Sequence, residues 1–461
     1  MDYLNYIKNI FQNSSDLISK KIKDIDIVFL ESLCSSDKIN EYILKVLVLA
    51  KNKHNLNNIL VGPNTKQIAK KDITTYLLNG FTLVIGDEIY AIETKGELVR
   101  SITEPTTEPD LHGPKDSFNE SIQTNLGLIK RRIKSPDLIN LDMTIGKYSQ
   151  TKVSILYINS ICDKELVNKV KNKLTQINID GILDAGNIKQ LIGSEDISPF
   201  PTTQLTERPD KAAGDLLEGK IIILVDASPL AISLPAFLVD FINPSVDTYS
   251  KNININFVKI LRFICLITTL FLPAIYIALI NYNQGSIPID LLVNFAMQRS
   301  SVPIPSIIEC LVILILCAIL RESDIRFPTN YGSSISIVGA LVMGDAAVEA
   351  GIVSPIMIIV IAVTYITSMV FTDLEIINSF RHIRFLSLFL VSILGLFGLY
   401  TSIFFTLIHL CSLTSLGKPY TYPIAPYDKV YFNKTVIRTT KKKDKFRSAL
   451  LAQKNIRKEG D

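Results

Sequence analysis

Three carboxylates in the apolar C-terminal half are the side chains whose positions could support chemistry in this chain of 461 residues. Glu309 lies inside an apolar run, and Asp345 and Glu349 lie in a short segment interrupted by glycines. A charge at membrane depth is costly unless it is paired or hydrated, and acidic side chains line the paths of cation channels. The sequence therefore favours a candidate cation pathway through these three carboxylates. The alternative is pairing with nearby arginines, namely Arg299, Arg321 and Arg326.

Motifs for covalent chemistry are absent from the sequence. The four histidines are not spaced as metal pairs, and no phosphate-binding loop, dinucleotide fingerprint or nucleophile elbow occurs. We therefore expect no enzymatic activity, no cofactor and no metal. The net charge of +4 is concentrated in a basic cluster at 441–447. Such a cluster is typical of a solvated flank rather than of a nucleic-acid site, so we expect no nucleic-acid partner.

The apolar half must contain the elements that hold the carboxylates at membrane depth. Crossing a bilayer takes about 20 apolar residues in a helix, and these segments are predicted to be transmembrane helices: 260–280, 304–320, 352–371 and 385–413. We predict a multi-pass α-helical membrane domain over 251–420, followed by a basic cytoplasmic tail over 421–461. Lys259 and Arg262 place the start of the first span on the cytoplasmic side.

The segment 335–350 has two possible paths. A complete crossing gives five spans and leaves the basic tail outside, against the charge rule. A re-entrant or short helix keeps both termini inside but leaves Arg381 and Arg384 outside. We favour the re-entrant path, since irregular backbone at this depth is tolerated where it is buried in protein or lines water.

The first 250 residues alternate between helix and strand signals, which is typical of an α/β fold. Apolar residues with helical spacing predict a helix over 163–177, and β-branched runs predict buried strands over 152–158 and 220–225. The N-terminus lacks the features of a signal peptide, so we expect this head to stay in the cytoplasm. We predict two tandem α/β subdomains, 1–112 and 113–250.

A repeated pattern suggests that the two subdomains are duplicates. Residues 75–80 and 215–219 are each predicted to be the end of a helix that stops at a Leu-Leu-x-Gly sequence. Each is followed by an apolar strand, an acidic turn and a second strand. Glycine ends a helix readily because it accepts a positive φ. Chance similarity is the alternative.

A basic stripe at 130–134 is predicted to be a solvated helix face or a partner surface.

Several stretches, in one order, resemble the GerA-family spore germination proteins, specifically the A subunit of the nutrient germinant receptor; the stage V sporulation AF protein is a similar paralogue. The stretches include Ser198-Pro-Phe-Pro201, Thr206-Glu-Arg-Pro-Asp210 and Ala350-Gly-Ile-Val-Ser-Pro355. The resemblance implies structural roles for the motif residues Pro199, Phe200, Pro201, Glu207, Arg208, Pro209 and Asp226. Asp345 stands where the family pattern has a polar amide, and it adds a negative charge near the candidate pathway.

The resemblance implies an oligomeric protein of the inner spore membrane that responds to nutrient germinants and forms or gates a cation-release channel. Its partners would be a transporter-like B subunit, a lipoprotein C subunit, other copies of this chain and the lipid bilayer, with head and tail on the spore-core side. Two alternatives stay open. Broken helices and midplane carboxylates also fit a secondary transporter of small nutrients, and the chain could be a non-conducting scaffold of the receptor.

Overall fold

The computed structural model describes residues 3–12, 14–22, 25–49, 64–96, 105, 108, 113–193, 198–244, 247, 249, 251–326, 344, 346–440, 444–452 and 455–458. These residues form an α/β head, a bundle of apolar helices, and a C-terminal segment that returns to the head. The observed head agrees with the α/β class that the sequence predicts.

The first subdomain places helices on both sides of an antiparallel sheet. Its elements are α1 (Tyr3–Ile10), β1 (Leu17–Ile22), β2 (Ile25–Leu30), α2 (36–49, with a π-helical turn at Asn40–Leu44), β3 (Lys66–Gln67), α3 (Ile73–Leu78), β4 (Phe81–Ile85) and β5 (Ile89–Glu93). Separate apolar clusters cover the two faces of the sheet.

The second subdomain repeats this arrangement with longer elements. They are α4 (Ile122–Arg132), β6 (Leu138–Ile145), β7 (Thr151–Ile158), α5 (Lys164–Thr175), α6 (Ala185–Ile192), β8 (Gln204–Thr206), α7 (Pro209–Leu217), β9 (Ile221–Val225), β10 (Ala231–Leu234) and the short α8 (Leu238–Ile242). Every residue of β9 is buried, as its continuous apolar run predicts.

The two sheets have the same topology. Their strand orders are β1-β2-β4-β5-β3 and β6-β7-β9-β10-β8, and every pairing in both sheets is antiparallel. The two predicted helix stops also match, since Gly80 and Gly219 follow α3 and α7 with φ of 82° and 95°. Only glycine adopts this conformation without strain. The two sheets and the two helix stops therefore correspond element by element.

Local sequence explains where α5 forms. Asp163 caps its first turn by accepting a hydrogen bond from the Glu165 amide at 3.0 Å. Leu166, Val170 and Leu174 recur on one face of the helix and are buried in one apolar cluster with the sheet. The helix predicted over 163–177 is therefore confirmed, with its ends shifted by a few residues.

A buried ion pair joins the two subdomains. Lys130 of α4 pairs with Asp16, which precedes β1, and their side chains are 5% and 3% exposed. The Asp16 carboxylate also accepts hydrogen bonds from the amide and the hydroxyl of Ser32, at 2.9 and 2.7 Å. The prediction of a solvated face for the basic stripe is wrong at this residue. Its partner is the first subdomain of the same chain.

The apolar half forms a helical bundle. Its elements are α9 (Asn252–Ile277, continued by a π-helical turn Ala278–Tyr282), α10 (Ile289–Arg299), α11 (Ser306–Arg326), α12 (Pro355–Ser368), α13 (Leu374–Leu394) and α14 (Leu396–Ser412). Two helices, Ile253–Tyr282 and Leu374–Leu394, are long and apolar enough to cross a membrane, whereas α12 and α14 are apolar but shorter. The helix α9 continues through Pro273.

The sequence predicts one long span over 385–413, and this prediction is wrong. The segment contains the end of α13 and all of α14, which are separated by Gly395 with a φ of 58°. A Cβ added at Gly398 would lie 2.2 Å from the Leu390 carbonyl oxygen, so the two helices fold back on each other as a hairpin. The reason is local: a glycine with positive φ reverses the chain inside an apolar run that has no polar break.

The helices α11 and α12 run parallel. Ser306, at the start of α11, donates to Asn281 at 2.8 Å, and Glu309 accepts from Ser354, the residue before α12. Both helices therefore begin at the bundle end farthest from the head, where α9 finishes. Tyr282 also donates to the Ser392 carbonyl there, beside the tip of the hairpin.

The predicted basic tail is in large part a component of the head. After a two-stranded ribbon, β11 (Thr414–Ser415) and β12 (Lys418–Pro419), the chain forms α15 (Lys429–Thr435) and packs against the second subdomain. Tyr422, Tyr431 and Leu451 are buried, and the rings of Tyr422 and Tyr431 are stacked at 5.2 Å. Arg447, expected in a solvated cluster, is buried and donates to the Leu217 carbonyl at 2.8 Å. Positions 441–443 lie outside the described residues.

Replacing Lys130 by glutamine should lower the free energy of unfolding by about 3 kcal/mol, because it leaves the buried Asp16 carboxylate without its counter-charge. Urea unfolding of the purified chain in detergent, followed by circular dichroism, measures this change. The exposed lysine Lys171 on α5 supplies the control Lys171→Gln, which should stay near the wild-type value. Equal unfolding curves for the two variants would contradict a structural role for the ion pair.

Candidate functional site

The motif Ser198-Pro-Phe-Pro201 joins the head to the hairpin. The Pro199 carbonyl accepts a hydrogen bond from the Ser379 hydroxyl of α13, and the Ser198 hydroxyl lies 2.9 Å from Nε2 of His409 on α14. Phe200 is buried, with its ring 6.0 Å from His409. One short motif of the head therefore contacts both helices of the hairpin. We call this contact the seam.

Residues on both sides extend the seam. The Leu238 amide donates to the Tyr420 carbonyl at 3.0 Å, and the Ser415 hydroxyl donates to the Thr202 carbonyl at 2.6 Å. Lys189 of α6 forms an ion pair with Glu375 at the start of α13. Together with Phe200 and Tyr420, residues of α8 belong to the same buried apolar cluster as the bundle helices. The head and the base of the bundle therefore share one core.

The second predicted motif, Thr206-Glu-Arg-Pro-Asp210, holds the connection between the subdomains. Arg208 is fully buried and pairs with Asp210 through two hydrogen bonds of 3.0 Å. Its guanidinium also donates to the Glu108 carbonyl, while Glu207 accepts from the Glu108 amide at 2.8 Å. Pro209 occupies the first turn of α7, where its missing N–H is tolerated. These contacts hold the segment around Glu108 against the start of α7.

The other motif residues also serve the architecture. Asp226 follows β9 and accepts a hydrogen bond from the Ile122 amide at 3.3 Å, which satisfies an N–H at the start of α4. Pro201 is buried directly after Phe200. Within the described residues, no group of three or more histidine, cysteine, aspartate or glutamate side chains could hold a metal ion.

A cavity of about 360 Å³ opens where the head, the start of α9 and the C-terminal segment meet. Its walls carry charges of both signs from distant parts of the chain, including Asp210, Glu218, Lys259, Lys434 and Asp444. Such a wall is polar because α7 and α15 turn their charged faces toward each other.

Glu218 connects the C-terminal segment to the head across this cavity. Its Oε1 pairs with the ammonium groups of Lys434 and Lys458, the latter at 2.8 Å, and Lys458 also pairs with Asp444 at 2.6 Å. Burial alone would raise the pKa of the Glu218 carboxyl, but the two ammonium groups outweigh burial and hold the pKa below its ordinary value of 4.5.

A second network of ion pairs is centred on the buried residue Lys220. Lys220 is 2% exposed at its side chain and pairs with Asp215 at 3.2 Å and with Asp240 at 2.8 Å. Burial lowers the pKa of Lys220, and the two carboxylates more than offset that effect, so its pKa lies above the ordinary value. Asp240 also accepts from the Phe237 amide at 2.9 Å, which starts α8 beneath the seam.

Glu309 is the predicted pathway residue that the structure places most clearly. It is 1% exposed in the first turn of α11, and its Oε1 accepts hydrogen bonds from the amide and the hydroxyl of Ser354, at 2.7 and 2.6 Å. Its Oε2 has no hydrogen-bond partner among the described residues. No arginine with a described side chain forms an ion pair with Glu309.

The structure describes two of the three candidate carboxylates, Glu309 and Glu349. Glu349 ends a short helical turn, Ala347–Glu349, and is exposed, whereas Glu309 lies inside the bundle. Asp345 lies outside the described residues, as does most of 335–350. The candidate pathway through these residues stays a prediction.

Sequence reasoning missed the residues that join the parts of the molecule. Ser379, His409 and Tyr420 complete the seam, and Glu218 and Lys434 attach the C-terminal segment. A usable signal existed in the aromatic residues Tyr420, Tyr422 and Tyr431, which are unusual in a solvated tail. The pairing of Glu218 with Lys434 had no signal in one sequence, because it joins residues that are far apart along the chain.

The fold and the seam define a protein with an α/β head fixed to a membrane-capable helical bundle. The chain matches the family described as "Bacillus/Clostridium GerA spore germination protein" over residues 5–450. It therefore belongs to the GerA family of spore germination proteins, and the resemblance seen in the sequence is confirmed.

Two relatives found by sequence agree with this assignment. Spore germination protein KA of Bacillus subtilis (strain 168) is 38% identical over 433 residues, which cover 90% of this chain and 80% of that one. Spore germination protein GerLA of Bacillus cereus is 36% identical over 411 residues, covering 87% and 84%. The crystal structure of the N-terminal domain of the A subunit of the Bacillus megaterium spore germinant receptor GerK3 is 31% identical, covers 51% of this chain and 94% of that one, and has a TM-score of 0.40.

Acid should release the C-terminal segment through Glu218. Because the pKa of Glu218 is lower in the folded chain than in the unfolded chain, its contribution to stability is present above about pH 4.5 and is lost as the pH falls through the folded value. Glu218→Gln should lower the thermal midpoint at pH 7 and lose less stability than the wild type between about pH 5 and pH 3. Glu120→Gln, at an exposed position, is the control. Parallel pH profiles for Glu218→Gln and wild type would contradict this assignment.

Proposed function

We propose that this chain is the A subunit of a spore germinant receptor, an oligomeric component of the inner spore membrane that responds to nutrients and forms or gates a cation-release channel. Its family and relatives support the germination role. A transporter-like B subunit and a lipoprotein C subunit are its proposed partners. The absence of a recognisable catalytic motif in the sequence is consistent with a protein that changes conformation rather than one that transforms a substrate.

The seam is the observation that carries this proposal. Phe200 lies in one apolar cluster with the bundle, while Ser198 and Pro199 are hydrogen-bonded to His409 and Ser379. A rotation of the head would therefore displace both helices of the hairpin together. A partner that binds one orientation of the head more tightly would shift the bundle between closed and open states.

The helix directions support head and tail on the same side of the membrane. The helix α9 leads away from the head, and the parallel helices α11 and α12 both lead back toward it. The path of 335–350 between these helices stays a prediction, because most of that segment lies outside the described residues. Arg381 and Arg384 then lie at the end nearest the head, because Ser379 contacts Pro199.

Glu309 supports a role for the bundle in ion movement. A buried carboxylate with one oxygen unpartnered among the described residues is unusual in an apolar bundle, and this one lies where α11 and α12 both begin. The scaffold alternative requires this carboxylate to serve packing alone. The transporter alternative gains no specific support from the described helices.

Replacing Phe200 by alanine should uncouple the head from the bundle. We expect this in spores that carry this chain and its proposed partners as their only receptor. At an equal amount of the protein in the membrane, the germination rate should fall about tenfold, a factor typical of the loss of coupling between two sites. Optical density during nutrient exposure measures the rate, and immunoblotting measures the content. Phe446→Ala, at an exposed phenylalanine of the C-terminal segment, is the matched control. Wild-type germination by the Phe200 variant would exclude the seam as the coupling route.

Replacing Glu309 by glutamine should reduce monovalent cation release several-fold, since the charge is lost while an amide oxygen can still accept from Ser354. Flux through the assembled receptor in liposomes measures this effect. Asp290→Asn removes an exposed acid at the far end of the bundle and should leave flux unchanged. Glu349→Gln tests the second candidate. Unchanged conductance and selectivity in the Glu309 variant would remove Glu309 from the pathway.

A further inference from the structure

Three arginines line one small cavity between the bundle helices. Arg321 comes from α11, and Arg381 and Arg384 come from consecutive turns of α13. The cavity has a volume of about 40 Å³, and its wall also includes Ser368 of α12 and Asn378. We call this group the arginine pocket. It is distinct from the Glu309 site, which lies at the opposite ends of α11 and α12.

The arginine pocket has a closed inner end and an open outer end. Arg384 is 8% exposed, and its Nε donates to the Thr269 carbonyl of α9 at 2.8 Å, which fixes the plane of its guanidinium. Arg321 and Arg381 are half-buried. The three side chains thus form a gradient from the interior to the surface of the bundle.

No carboxylate balances these charges in the described part of the chain. Arg384 lies near the thiols of Cys310 and Cys317, and the like charges of Arg321 and Arg381 repel it. Arg321 lies near Tyr365 and is repelled by Arg381. Burying like charges together is costly unless an opposite charge is supplied. An anion in the pocket would therefore balance the positive charge of the three guanidinium groups.

The geometry selects the class of anion. A cavity needs about 10–15 Å³ to hold one water, so this pocket has room for about three water-sized groups, the size of a tetrahedral oxyanion. Guanidinium groups bind phosphate through paired, parallel N–H donors, which a single ammonium cannot supply. The amide of Asn378 adds a neutral donor on the same wall.

The position of the pocket selects the source of that anion. Ser379, next to Asn378 on α13, donates to Pro199 in the head, so the pocket lies at the head-side end of the bundle. Membrane surfaces on the cytoplasmic side carry anionic lipids, and basic pockets between transmembrane helices bind their head groups. We propose that Arg321, Arg381 and Arg384 bind the phosphate of an anionic phospholipid. This inference rests on the proposed membrane insertion of the bundle.

The experiment measures the thermal midpoint of the full-length, delipidated chain in detergent, titrated separately with short-chain phosphatidylglycerol, phosphatidylcholine and inorganic phosphate. Phosphatidylglycerol should raise the midpoint by mass action. Arg321→Gln combined with Arg381→Gln should weaken its apparent affinity at least tenfold, since two charge-assisted contacts are lost. Arg321→Lys with Arg381→Lys keeps the charge and should retain part of the shift. Lys429→Gln, at an exposed lysine, should behave as wild type.

Two results would overturn the proposal. Equal shifts with phosphatidylglycerol in the wild type and the double glutamine variant would show that the arginine pocket does not bind it. A shift with inorganic phosphate that matches the lipid at equal concentration would assign the pocket to a free oxyanion instead. Neither result bears on the germination role, which is measured in spores and does not depend on this titration.

Discussion

The contact between the Pro199 carbonyl and the Ser379 hydroxyl, with Phe200 buried beside it, is the constraint on which the rest of the molecule depends. Together with the Lys189–Glu375 ion pair, it holds the head against the bundle. With it, apolar residues of both parts form one cluster, which includes Phe241, Tyr420 and the bundle helices. Removing apolar surface from water at this junction stabilises one relative orientation.

Ion pairs between segments far apart in sequence complete the head. Asp16 meets Lys130 across the two subdomains, and Glu218 meets Lys434 across the cavity at the base of α9. Asp16 is buried and Glu218 is largely buried, so losing one partner leaves a poorly compensated charge rather than a fully solvated side chain. These pairs therefore restrict which segments can pack together, even where their net contribution to stability is small.

Local patterns were enough to predict much of the head. The α5 periodicity, the continuous apolar run of β9 and the two glycine stops fix their elements, because the relevant forces act within a few residues. The hairpin at Gly395 was missed, since an unbroken apolar run is equally compatible with one long helix. The basic stripe and the C-terminal segment were misread as solvated for a different reason. Their partners lie more than 100 positions away, and pairing over such distances leaves no trace in one sequence.

The return of the C-terminal segment to the head has a consequence for biosynthesis. The face of the second subdomain around Phe237 is covered by Tyr422 and Tyr431, with ring centroids 5.3 and 6.5 Å from Phe237. A ribosome makes these tyrosines only after every bundle helix has been translated. The nascent head must therefore present an uncovered aromatic face until the C-terminal segment has been made. Tyr422 and Tyr431 can cover Phe237 only after the head and the bundle have both been synthesised.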